Sequence, residues 1–202
     1  ISRVPQLWNL NDPMIKAGLS LTAPITAVID VGFADTHADL SYVNRSPGVT
    51  DDHGTHGAGT IGARFDHGVG VDGTNPFAEM IVFAPSLSAT GTAVMVRSSV
   101  GAALIFDLHD LVMGQPEIRL VNMSLAYNWY KANIDSDTDL AAQAIANLHG
   151  AMLAGLMRDI ERVRPLPVVV VAAGNDSDSG FGTQDAQYAS PMTNAALRHG
   201  AA

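Results

Sequence analysis

Asp52-His53-Gly54-Thr55-His56-Gly57-Ala58-Gly59-Thr60 puts a polar histidine directly ahead of a run of residues too small to fill a core. Such a run lets a helix start close against its neighbours, with an imidazole in its first turn. Upstream, Ala27-Val28-Ile29-Asp30-Val31-Gly32 reads as a buried strand ending in a carboxylate. Downstream, Val168-Val169-Val170-Val171-Ala172-Ala173-Gly174-Asn175 reads as another, ending in a carboxamide. An acid, an imidazole and an amide on two strand ends and a helix start have most of the chemistry of a hydrolytic site.

Working outward, segments rich in Val, Ile and Ala alternate with segments of helical period, the pattern of a mostly parallel sheet with helices on both faces. Strands are expected at 25–29, 80–84, 118–123 and 168–172. Helices are expected at 98–112, capped by Ser98 or Ser99, and at 139–163, where Leu140, Ala144, Ile145, Leu148, Met152, Leu156 and Ile160 recur at helical spacing. Pro165 and Pro167 should end the second helix and launch the last strand. The apolar run 168–173 predicts a central strand covered on both faces. Turn residues concentrate at 41–52, 68–76 and 176–182, where Asp176 and Asp178 solvate an exposed loop. The acids Asp135, Asp137 and Asp139 should cap the helix that follows and complement its dipole. In an open α/β sheet ligands bind beyond the carboxyl ends of the strands, and Asp30, Ser124 and Asn175 all fall there.

Composition narrows the function. A hydrophobic content of 47% over 202 residues supports a sizeable core in one globular domain, or a large part of one. The net charge of −9, with Lys16 and Lys131 the only lysines, argues against nucleic acid as a partner, because phosphate contacts need clustered cations. No run approaches the roughly 18 consecutive apolar residues of a membrane span, and no basic-then-apolar signal pattern stands at the start. A first residue of Ile suggests a processed or excised segment. The absence of cysteine removes disulfides, thiolate metal sites and thiol nucleophiles together and leaves export open.

Four motifs in order carry a family resemblance: Val28-Ile29-Asp30-Val31-Gly32 with Thr36-His37-Ala38-Asp39-Leu40, then residues 53–60, then Val121-Asn122-Met123-Ser124-Leu125, then Ala172-Ala173-Gly174-Asn175. From near Val4 to the C-terminus the chain resembles the subtilisin-like serine proteases, whose triad runs in the order Asp, His, Ser. The resemblance implies a three-layer subtilisin-like α/β fold, truncated on its C-terminal side, so that 1–202 form a partial peptidase domain. It implies that Asp30 orients the histidine, that His53 is the general base and acid, and that Asn175 donates its amide to the oxyanion. Ser124, Leu125 and Ala126 would line the specificity pocket, with Gly174 beside them, and offer backbone to an extended peptide. Peptides or proteins are then the substrates, no cofactor is required, a structural calcium ion is allowed at Asp39, and a secreted or cell-envelope location fits best.

The chain also departs from the family. Val31 stands where Thr or Ser usually follows the aspartate, so its side chain offers that carboxylate no donor. Ala38 replaces a Pro, Gly57 a Val, and Ala126 a Gly, the last adding a methyl to the pocket wall. The family's nucleophile lies in a Gly-Thr-Ser motif followed by Pro. The nearest echo, Tyr188-Ala189-Ser190-Pro191, aligns Gln187 with the nucleophile only 12 positions after Asn175, so Ser190 is expected to be a loop residue and the chain to stop before the serine. Alone, the chain should be inactive, expose apolar surface and associate with itself or with the missing segment. Two other readings stand beside this one. The first is a catalytically dead peptide-binding protein. The second is a metal-dependent hydrolase or binding module using His53 and His56 at i, i+3 with Asp30, Asp51 or Asp52. Gly68-Val69-Gly70-Val71-Asp72-Gly73 spells G-x-G-x-x-G, but no strand precedes it and no acid follows at the spacing a ribose requires.

Overall fold

The computed structural model describes residues 4–18, 24–45, 50–75, 77–85, 89–175 and 180–199. Five strands, β1 (Ile25–Ile29), β2 (Tyr42–Arg45), β3 (Met80–Phe83), β4 (Ile118–Met123) and β5 (Val168–Val171), form one sheet in the order β2-β3-β1-β4-β5. Every neighbouring pair is parallel, so each return along the sheet needs a crossover. The helices α1 (Val4–Lys16), α2 (Asp52–Gly62), α3 (Ala93–Gly114), α4 (Leu140–Glu161) and α5 (Pro191–His199) complete the α/β architecture.

Alternation along the central strand sets up the layers. Ala27 and Ile29 face a core shared with Leu104, Ile105 and Leu108 of α3, Leu153 of α4 and Met192 of α5. Val28 faces the other way, into a smaller core with Met80, Val82 and Ala58 of α2. Successive residues of a strand point to opposite faces, so β1, apolar on both, must be central with helices above and below.

The expected strands and the two long helices appear, with differences that have local causes. The segment 41–52 was expected to be a loop but contains β2, whose Tyr42 pairs with Met80; this pairing with a distant strand has no apolar run to announce it. Helix α3 starts earlier than 98, at Ala93, because Thr92 accepts the Met95 N–H and serves as the cap in place of Ser98 or Ser99. Of the three acids ahead of α4 only Asp139 caps it, accepting N–H bonds from Ala141 and Ala142, while Asp137 accepts the Asp185 N–H and Asp135 that of Asp137. Strand β5 is an edge of the described sheet, not a covered central strand, and Val168 and Val170 are 64% and 50% exposed. Pro76, Asp176, Asp178 and most of the acidic part of the 176–182 loop lie outside the described residues.

Helix α4 is long and apolar enough, by length and composition, to cross a membrane. Here Ala142, Ala146, His149, Gly150, Leu153, Ala154 and Ile160 bury one stripe of it inside the protein, against α3, α5 and the sheet. That is the packing of a core helix.

Between α3 and α4 lies a buried polar pair. The Tyr127 hydroxyl is 2.8 Å from His149 Nδ1. Burial pushes the tyrosine far above its usual range and pulls His149 below the ordinary value of 6.5, so a neutral imidazole accepts from the hydroxyl. Gly101 of α3 makes room for the pair: a Cβ there would stand 2.6 Å from His149 Nδ1 and 2.7 Å from Tyr127 Cε1. Gly101→Ala should therefore lower the unfolding free energy by about 1–3 kcal/mol, measured by urea titration. Because the folded His149 resists protonation, its contribution to stability is complete above pH 6.5 and is lost as the pH falls below that value. Unfolding free energy should drop by up to about 1.4 kcal/mol per pH unit as the pH falls below 6.5, and His149→Gln should flatten that slope.

Candidate active site

Strand β1 delivers Asp30 immediately after Ile29, and the carboxylate is fully buried. Helix α2 brings the histidine to it. Asp51 caps the helix by accepting the His53 N–H at 2.7 Å, and Thr55 Oγ1 donates to the Asp51 carbonyl while accepting the Ala34 N–H at 2.8 Å, which ties the helix start to the loop after β1. Gly54 lets the two elements meet, since a Cβ there would overlap the Gly32 carbonyl oxygen and stand 2.9 Å from Asp30 Cβ. The result is a contact of 2.7 Å between His53 Nδ1 and Asp30 Oδ1, with the imidazole side chain 61% exposed. An ionised carboxylate only accepts, so Nδ1 carries the proton and Nε2 is left with a lone pair.

That imidazole opens into a cleft of about 350 Å³ beyond the carboxyl ends of β1, β4 and β5. Every other binding or catalytic residue expected from the sequence lines the same cleft: Ser124, Leu125 and Ala126 on one side, Gly174 and Asn175 on the other. Gly174 has φ +97, a left-handed turn that redirects the chain after β5 and carries Asn175 to the cleft. The Ser124 hydroxyl accepts from Asn122 Nδ2 at 3.2 Å. Sequence reasoning missed two lining residues, Asn128 and Lys131, and gave Asp51 no role beyond a candidate metal ligand. Asp51 had a readable signal, an Asp immediately ahead of a small-residue helix. Asn128 and Lys131 had none, because a long-range anchored turn places them.

The remaining candidates lie elsewhere. Asp39 is buried; its Oδ2 accepts the Val71 N–H at 2.9 Å and its Oδ1 lies 3.2 Å from His67 Nε2. One carboxylate facing an imidazole does not fit calcium, which takes six to eight oxygen ligands. His56 lines a separate cavity with His37 and Asp39, while His53 is committed to Asp30. Among the described residues no three His, Cys, Asp or Glu are grouped to hold a metal ion. The glycines of 68–73 form turns, with Gly68 and Gly70 at φ +76 and +67, and neither a strand before them nor a helix after them builds a nucleotide site. Ser190 is buried at the start of α5, where its Oγ accepts the Thr193 N–H at 3.1 Å and Thr193 Oγ1 accepts the Ser190 N–H in return. It is a helix cap.

One oxygen in the pair is under-supported. Asp30 Oδ1 accepts from both His53 and the Val31 backbone N–H, at 2.7 Å each, whereas the buried Oδ2 has no hydrogen-bond partner among the described residues. Val31 supplies only its backbone. A Cβ on Gly57 would lie 3.8 Å from that Oδ2, so a hydroxyl one bond further on falls within reach of it. Gly57→Ser should raise stability by about 1–2 kcal/mol, from a charge-assisted hydrogen bond and from better helix propensity. Gly57→Ala gains only the propensity, so thermal melts should rank Ser above Ala, and the reverse order would show that the hydroxyl does not reach.

A sequence model described as the subtilase family matches residues 22–197. No curated protein matches the chain's sequence. Among solved structures, the crystal structure of MycP1 with the N-terminal propeptide removed is similar at 19% identity and a TM-score of 0.40, covering 80% of this chain and 45% of that one. The chain thus spans less than half the length of that structure. The match over residues 22–197 takes in most of the sequence and all three strand ends that hold the cleft: the chain belongs to the subtilase family of serine proteases.

Proposed function

We propose that this chain carries the acid, the base and the oxyanion donor of a serine endopeptidase. The observation behind the reading is the buried Asp30 carboxylate bonded at 2.7 Å to an imidazole that faces a cleft shared with Asn175. In this reading His53 Nε2 takes the proton of a serine hydroxyl as its oxygen bonds to the peptide carbonyl carbon. The same nitrogen then gives that proton to the amine as the C–N bond breaks. Asp30 steadies the imidazolium between the two transfers, and the Asn175 amide donates to the carbonyl oxygen as it gains charge. The substrate lies extended along Ser124, Leu125 and Ala126 and satisfies its backbone groups by pairing with the chain there. The reaction requires no organic cofactor, and an exported location suits it.

The nucleophile, on this reading, comes from polypeptide outside these 202 residues. Ser190 caps a helix, and Ser124 is the one described serine in the lining of the cleft. The isolated chain should then hydrolyse peptides slower by about 10⁶ in kcat than the complete enzyme. One observation favours a second reading, a peptide-binding protein without activity: among the described residues Asp30 Oδ2 is left without a partner beside Val31.

Exposure to a fluorophosphonate, read by intact mass, separates the two. Labelling of the longer parent polypeptide but not of the 202-residue chain is the expected result. Labelling of this chain alone would put an activated serine within it, and labelling of neither would favour the inactive binder. In the complete protein His53→Ala should abolish peptide hydrolysis, and Asn175→Ala should lower kcat by about 10²–10³ with KM nearly unchanged. An undiminished kcat in either variant would remove that residue from the mechanism.

A further inference from the structure

The cleft beside His53 continues past Ala126 into a second cavity of about 260 Å³, and the two share Leu125, Ala126, Asn128 and Lys131. Lys131 is one of only two lysines in a chain with 20 acidic and 11 basic residues, so a cation at this junction runs against the sign of the whole protein. Its ammonium forms no ion pair among the described residues and is exposed.

The turn that holds it is built rigidly. Lys131 lies in a short 3-10 helix, Trp129–Ala132, flanked by Asn128 and Asn133, both in the left-handed region at φ 53 and 56. Trp129 is fully buried and donates its indole N–H to the Tyr188 carbonyl at 2.8 Å. Arg97 of α3 donates to the Asn128 carbonyl at 2.8 Å and lies 5.7 Å over the Trp129 ring. Arg97 is thereby spent on the turn, whereas Lys131 projects from it. Among the described residues the only carboxylate in the lining of the first cleft is Asp51, and one of its oxygens already accepts the His53 N–H.

We propose that Lys131 is a specificity-determining residue, which selects peptides with an Asp or Glu side chain where the bound strand crosses from the His53 cleft into the second cavity. This rests on the reading of the cleft as a peptide site. A peptide extended along residues 124–126 runs toward the shared lining, where Leu125 and Ala126 offer apolar contact and Lys131 offers three donors and a positive charge. A carboxylate set there meets a cation that no described group neutralises. An arginine or lysine on the peptide at the same place would meet like charge and be rejected.

The test uses the 202-residue chain and capped octapeptides that differ only by Glu or Gln, with the substitution moved one position at a time along the peptide. Glu should bind about threefold to tenfold tighter than Gln at one position, measured as Kd by titration calorimetry, and the ratio should shrink at high salt. Lys131→Met and Lys131→Gln should each bring the ratio near one, Lys131→Arg should keep it, and Lys131→Glu should invert it. Binding with no Glu preference at any position, or a preference that survives Lys131→Met and Lys131→Gln, overturns the Lys131 assignment and leaves the peptide site standing. Binding of neither peptide overturns both.

Discussion

The contact between Asp30 and His53 is the constraint around which this molecule is arranged. A carboxylate without exposed surface is costly unless a partner meets it, so the end of β1 and the start of α2 must stay in register to within a few tenths of an ångström. Three features of ordinary chain chemistry keep them there. The Asp51 cap fixes where the helix begins, the Thr55 hydroxyl ties it to the backbone after β1, and Gly54 removes the side chain that would hold the two apart. A buried charge held this way contributes little net stability, since desolvation offsets most of the attraction. Its value lies in placing one imidazole with a defined tautomer at the mouth of a cleft.

The cleft itself follows from sheet topology. Parallel strands carry their carboxyl ends to one edge, and with β1 between β3 and β4 the residues after β1, β4 and β5 converge there. Ser124, Leu125 and Ala126 follow β4 directly, whereas Asn175 needs the extra turn at Gly174. The far wall of the cleft is fixed differently, by the buried Trp129 and the Arg97 guanidinium that hold the turn at 128–133 against α3. The Asp30–His53 pair and the turn that carries Lys131 thus rest on separate supports.

Much of this was legible from local pattern. The strands at 25–29 and 118–123 appear with the expected bounds, because uninterrupted apolar runs between turn residues leave a buried strand as the local solution. The ordered motifs at Asp30, His53, Ser124 and Asn175 pointed to the family that the match over residues 22–197 shows. Errors arose where a distant partner decides. β2 forms because β3 offers it an edge, α3 starts a turn and more early because Thr92 can cap it, and β5 has one open side because no described strand lies beyond it.

Sequence alone determined the α/β alternation, the small-residue helix start and the kinds of chemistry available, because these depend on periodicity, side-chain size and functional group. Tertiary structure alone decided that Asp30 Oδ2 lacks a partner among the described residues, that Asp39 pairs with His67, that Ser190 serves as a cap, and that Lys131 reaches the cleft. Each of those depends on which atoms from far along the chain arrive within bonding distance, and burial and long-range packing set that distance, while residue order does not encode it locally.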